Sequence, residues 1–324
     1  VRIGIFSDMG MNADWLWTQC DGEMGRDNAS GVKLEHMARD AERVFCFNLP
    51  FFPKGAGKMP RWKRLLHKVR GDYRSHKATL AFDMLGVERE RVGMLLYEPP
   101  PIARNFYEVG VKRCARVWAP DAGAPASVEA VTLPAFWMLA EDVRALRAQA
   151  PRESEVALAA VISGKVALGG HRQRLEFLRL LRAAGVALEL FGMGLPADLR
   201  GRGGVSSKGQ VLRAARCSLA IENYDQGEQY VTEKLWDPLL SWSVPLYFGP
   251  GAPERLIPPE SFIRIPSLDA KGVEVVKAAV ADPMVREKRL EAIAEARRRC
   301  LEELRLPLWL GRQVAKWQSG EVAK

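Results

Sequence analysis

The second half of the chain alternates strand and helix, and that rhythm most limits what the chain can fold into. Val156–Ser163 (V-A-L-A-A-V-I-S) is a near-continuous apolar run, as expected of a strand buried on both faces of a parallel sheet. Arg172–Ala184 follows with helical spacing, which turns Leu175, Phe177, Leu178 and Leu181 inward. The pattern then repeats. Strands are expected at Val186–Phe191, Cys217–Ile221, Val244–Phe248 and Ser261–Ile265, with helices at Lys208–Ala215 and Glu233–Trp242. Such alternation predicts a Rossmann-like α/β unit with a parallel sheet.

The first half is less regular. Strands are expected at Val1–Phe6, Glu42–Asn48, Arg91–Tyr97 and Ala115–Ala119, and a helix over Pro134–Gln149. A long charged helix is expected at Val285–Leu304, and Leu308–Trp317 reads as a terminal helix returning to the first domain. A length of 324 residues suits two domains, each with its own core. The boundary is expected within 140–155, which divides the chain into 1–145, 146–305 and a terminal segment 306–324. With 48% apolar and 27% charged residues the chain is globular, not disordered. No apolar run approaches the roughly 20 residues that span a bilayer. No signal peptide is visible, so a cytoplasmic protein is expected, with a removed N-terminal anchor left open. Five well-separated cysteines without a C-x-x-C pair fit reduced thiols, and neither they nor the four histidines have metal-ligand spacing. No zinc site is therefore expected. The net charge of +9 suits phosphate-rich partners: nucleotides, nucleic acid or an anionic membrane.

Candidate site residues come from position and chemistry. In Ile221–Leu235 (I-E-N-Y-D-Q-G-E-Q-Y-V-T-E-K-L), Thr232 can cap a helix whose first turn holds Glu233 and Lys234. A lysine opposes the helix dipole there, which makes sense if a bound anion such as a diphosphate supplies the negative charge. An ordinary loop with a surface Glu-Lys pair is the alternative. Glu98 ends a strand just before a run of prolines that starts Pro99-Pro100, a position for a general base or for a salt-bridged loop carboxylate. Trp15 and Trp17, close behind the first strand, suit sugar stacking, although core packing is the commoner role. Lys54–Arg70 holds seven Lys/Arg and no acid, with Trp62 interleaved and Phe51 and Phe52 just before it. Residues 51–70 are thus either a contact for an anionic membrane face or polyanion, or a solvated helix face. Gly192-Met193-Gly194 lacks the third glycine of a dinucleotide fingerprint, and Pro196 interrupts it, which argues against an NAD enzyme.

Four ordered blocks carry a family resemblance. They are Glu222-Asn223, Tyr230-Val231-Thr232-Glu233-Lys234-Leu235, Val244-Pro245-Leu246-Tyr247-Phe248-Gly249 and Ile257-Pro258-Pro259-Glu260-Ser261-Phe262-Ile263. Together they resemble the donor-binding signature of α-1,3/4-fucosyltransferases. The likeness extends back through Val156–Gly194 and touches Tyr97-Glu98-Pro99, similar to the family's E-x-P segment after a strand. It implies the GT-B class: two Rossmann-like domains with a cleft between them and a C-terminal helix packing back on the first. It implies an inverting, metal-independent transferase with GDP-fucose as donor and a glycan hydroxyl as acceptor, a lipid-linked glycan being left open. By the same resemblance Lys234 meets the diphosphate, Glu233 the ribose hydroxyls, and Asn223 and Tyr230 the diphosphate and fucose. Arg174, or its neighbour Arg172, reaches phosphate, and Glu98 is the base. The chain departs from the family pattern at Tyr224-Asp225 and at Ser163-Gly164-Lys165. Those departures leave open a transferase of the same fold using another nucleotide sugar. Of a different class would be a non-catalytic basic module for nucleic acid or glycan. The ordered blocks argue against that reading, and no nucleic acid partner is expected.

Overall fold

The computed structural model describes residues 1–7, 14–49, 73–166 and 169–319. The chain divides into two compact units, Val1–Leu133 with Pro307–Lys324, and Pro134–Leu306. The basic stretch 51–70 and the side chain of Trp15 lie outside the described residues.

The first unit is built on a seven-stranded sheet. Its strands are β1 (Arg2–Ser7), β2 (Arg26–Asp27), β3 (Val32–His36), β4 (Arg43–Phe47), β5 (Val92–Leu95), β6 (Arg116–Ala119) and β7 (Glu129–Ala130), in the order β2-β3-β1-β4-β5-β6-β7. All pairings are parallel except β2 with β3. Apolar side chains of β4, β5 and β6 pack against helices Tyr73–Leu85 and Tyr107–Arg113 to form the core. No strand was expected between residues 7 and 41, yet β3 pairs with β1 there. Its V-K-L-E-H alternation, with Val32 and Leu34 buried, is the signal that would have found it.

The helix Leu306–Gln318 closes this unit from the far end of the sequence. Phe45 of β4 and Trp118 of β6 stack with centroids 5.5 Å apart over Gly93 of the intervening β5. Trp309 meets Trp118 edge-on at 5.3 Å, and Trp317 meets Phe45 at 6.1 Å beneath the Arg43 guanidinium. Aromatic pairs of this geometry add roughly 0.5–1.5 kcal/mol each beyond their buried area.

The second unit has a five-stranded, all-parallel sheet. Its strands are β8 (Val156–Val161), β9 (Glu189–Phe191), β10 (Ala215–Ile221), β11 (Val244–Phe248) and β12 (Ile263–Arg264), in the order β12-β11-β10-β8-β9. Three expectations need correction here. The domain division drawn at 145/146 falls instead at Leu133/Pro134. The reason is that Ala135 pairs its backbone with Leu304 and Leu306, and Trp137, Leu139 and Val143 enter the second core. Second, the helix expected over 134–149 is confined to Val143–Ala148, capped by Asp142 accepting from the Ala145 N–H at 2.8 Å. Upstream of that cap the Met138 N–H is already committed to Asp237 at 2.9 Å. Third, the helix expected over 285–304 is α-helical only at Leu290–Arg299, then widens to π-type bonding over Cys300–Leu304, where Arg305 Nε donates to the Leu301 carbonyl at 2.6 Å. Among the described residues no helix is long and apolar enough to cross a membrane.

Trp118 is 1% exposed and joins the sheet of the first unit to its terminal helix. Trp118→Ala should cost about 3–5 kcal/mol. Urea denaturation read by fluorescence should show the transition of that unit moved to lower denaturant.

Candidate functional site

In the second unit the chain runs from β8 out to β9, then returns to place β10 on the other side of β8. The strand order therefore reverses between β8 and β10. Open α/β sheets bind ligands outside the carboxyl ends of strands at such a point.

Arg174 ties the two strand exits together. It stands on the helix Gly169–Ala183 that follows β8 and is 3% exposed. Its Nη1 donates to Asn223 Oδ1 at 2.8 Å, just past β10, and its Nη2 donates to the Ser163 carbonyl at 3.0 Å, just past β8. Its Nε is also buried and has no acceptor among the described residues. Burial pushes the guanidinium pKa down, against the pull of Glu222 and Glu233, but a guanidinium still stays charged at neutral pH. Arg172, two residues earlier, is exposed. Gly170 explains the close fit of this helix. A Cβ there would lie 2.3 Å from the Asn223 carbonyl oxygen. Gly192 does the same for the β9 exit. Its φ is +148°, and an added Cβ would lie 1.7 Å from the Ile162 carbonyl oxygen. The G-x-G segment is thus a backbone packing device.

A second cluster lies at the helix Glu233–Leu240. Glu222, 2% exposed at the end of β10, accepts from the Thr232 N–H and from Thr232 Oγ1, each at 2.8 Å. Thr232 also caps the helix, accepting from the Lys234 N–H at 3.4 Å. Lys234 Nζ donates to Thr232 Oγ1 at 3.0 Å and to Glu233 Oε1 at 3.1 Å, and stands 3.5 Å from Glu222 Oε2. Burial raises the pKa of Glu222. Burial also works to raise that of Glu233, but the charges of Lys234 and Lys208 outweigh it and hold Glu233 at about 2. Lys234 is raised by Glu233 and Glu222 in spite of burial. One turn on, Asp237 is fully buried and paired with Lys208 at 2.5 Å. Burial lifts it to about 6 although Lys208 pulls it down.

The structure thus brings Arg174, Asn223, Glu233 and Lys234 to one end of one sheet. Tyr230 is 4% exposed and meets Tyr224 edge-on at 6.4 Å. Glu98 is half-buried past the end of β5 in the first unit, and Trp17, also half-buried there, meets His36 edge-on at 6.4 Å. Sequence reasoning quoted Glu222 but gave it no role. Its two bonds to Thr232 make it the anchor of the 223–231 excursion, and its place at a strand end was the available signal.

Residues 155–273 match the family described as glycosyltransferase family 10 (fucosyltransferase), C-terminal domain. That match lies wholly within the second unit, Pro134–Leu306. A putative fucosyltransferase-like protein of Arabidopsis thaliana is 32% identical over 120 residues. That match covers 37% of this chain and 22% of the plant protein, so the chain corresponds to about a fifth of that relative. A solved α1,3-fucosyltransferase is 12% identical, over 91% of this chain and 82% of its own, with a TM-score of 0.48. An α-glucosyltransferase solved with UDP and a 13-mer DNA is 11% identical, over 98% and 99%, with a TM-score of 0.55. That last likeness is one of fold, and the chain has the GT-B class of fold with its two Rossmann-like units.

His171, 6% exposed on the helix of Arg174, reports the local charge. Burial lowers its pKa first, and the positive charges of Arg174, Lys165 and Lys234 lower it further. Its contribution to stability is therefore complete above its unfolded value and lost as pH falls through the lower folded value. An anion bound beside these cations should raise that folded value. NMR titration of His171 should show a pKa below the ordinary 6.5 in the free chain and an upward shift with saturating inorganic pyrophosphate.

Proposed function

We propose that this chain is an inverting glycosyltransferase that moves fucose from GDP-fucose to a hydroxyl of a glycan acceptor. The observation that supports this most directly is Arg174. It is a buried cation whose Nε has no acceptor among the described residues, at the sheet's reversal point, inside the segment that matches the fucosyltransferase family. In this reading the diphosphate of GDP lies against Arg174 and Lys234 at the first turn of the helix Glu233–Leu240. Glu233 takes the ribose hydroxyls, and Asn223 and Tyr230 border the diphosphate and the sugar.

The chemistry follows from where charge grows. The acceptor oxygen attacks the anomeric carbon as the bond from that carbon to the phosphate oxygen breaks, and GDP leaves with the electron pair. Negative charge builds on that oxygen, and fixed donors at Arg174, Lys234 and the helix N-terminus lower the barrier because they need no reorganisation. The acceptor proton passes to a carboxylate, assigned to Glu98. Lys234 begins compensated by Glu233 and Glu222, so the free chain holds it in place without exposing an unbalanced charge.

The test is GDP release from a panel of GDP- and UDP-sugars, with and without glycan acceptors. GDP-fucose should be turned over fastest, and preference for another sugar nucleotide would overturn the donor assignment. Glu98→Gln should lower kcat by about 10²–10⁴ while GDP affinity in calorimetry holds. Lys234→Ala should weaken GDP binding by roughly tenfold or more, the loss of one charge-assisted contact. Unchanged GDP affinity in Lys234→Ala would remove that lysine from the site.

A further inference from the structure

The first unit holds an arrangement at the exit of β4 that the proposed chemistry has not used. Phe47 of β4 pairs with Leu95 of β5, so Asn48 stands opposite Leu96. In a parallel ladder Asn48 should donate its N–H to the Leu95 carbonyl and accept the Tyr97 N–H on its own carbonyl. The first bond is present at 2.9 Å. The second is made differently. Asn48 has φ +58°, the left-handed region, and the Tyr97 N–H donates to the side-chain Oδ1 of Asn48 at 2.7 Å. The amide oxygen replaces the carbonyl that the turn has carried away from the sheet.

That substitution adds one rung to the ladder at the place where β5 ends. Tyr97 directly precedes Glu98, and its ring packs on Phe47 with centroids 5.6 Å apart. On the other side of Glu98 the Pro99 carbonyl accepts from the N–H groups of Ile102 and Ala103, at 2.8 and 3.0 Å. The backbone is therefore held on both sides of Glu98, and the upstream hold is the Asn48 side chain. Asn48 is 3% exposed, so its partner is shielded from water and cannot exchange this bond cheaply. Few residues combine tolerance of the left-handed region with an acceptor of this reach. Asparagine and aspartate do.

We propose that Asn48 is a positioning residue that sets the orientation of Glu98 through the backbone of Tyr97. This rests on the assignment of Glu98 as the base. It commits the β4 exit to placing the carboxylate and not to binding the donor, which belongs to the second unit.

The test is a variant series in the full chain, read by kcat, donor KM, GDP affinity and melting temperature. Asn48→Gly keeps the left-handed turn but removes the acceptor. It should lower kcat by about ten- to a hundredfold, the scale of a small misplacement, with donor KM and GDP affinity unchanged. Asn48→Asp restores the acceptor and should keep most of kcat. In the Glu98→Gln background, Asn48→Gly should slow the reaction no further. Wild-type kcat in Asn48→Gly overturns the proposal. So does an equal loss in the Glu98→Gln background, or a folded Asn48→Asp variant as slow as Asn48→Gly. If Glu98→Gln itself keeps wild-type kcat, the base assignment falls and the positioning role falls with it. If Glu98→Gln is inactive and the two effects multiply, only the role of Asn48 is lost.

Discussion

A carboxylate removed from water is the interaction on which the second unit depends. Glu222 sits at the end of β10 with almost no exposure, and an unpaired charge there would cost several kcal/mol. Thr232 meets both of its oxygens and Lys234 stands close by. The chain leaves the sheet at Glu222 and is returned to it ten residues later. This closure fixes the start of the helix Glu233–Leu240, and with it the direction of the N–H groups of its first turn. Asn223, on the same excursion, is held beside Arg174. Removing Glu222 would free the loop and the helix start together, so the site and the fold share one support.

Arg174 and Glu222 also show how opposite charges are kept apart yet balanced. The arginine bridges two strand exits through neutral partners, a side-chain amide and a backbone carbonyl. The lysine is the one committed to carboxylates.

Much of the second unit was legible in the sequence because a parallel strand buried on both faces leaves an apolar run that few other structures require. Of the ordered blocks, Glu222-Asn223 falls at the end of β10 and Tyr230–Leu235 at the start of the helix Glu233–Leu240. What stayed hidden depends on contacts distant along the chain. The boundary at Leu133/Pro134 rests on Ala135 pairing with Leu304 and Leu306, and no local pattern in 134–142 announces it. β3 was hidden by weak propensity, since V-K-L-E-H alternates correctly but carries only two large apolar residues. Asn48 reads as an ordinary polar residue after a strand, and its exchange of side chain for backbone is visible only once the register of β4 and β5 is known.

The first unit is discontinuous along the chain, since its last helix follows the whole of the second unit. During synthesis the aromatic face of Phe45 and Trp118 leaves the ribosome long before Trp309 and Trp317 exist to cover it. The second unit, continuous from Pro134 to Leu306, is complete first. The unit translated earlier therefore cannot complete its packing until the later one has left the ribosome.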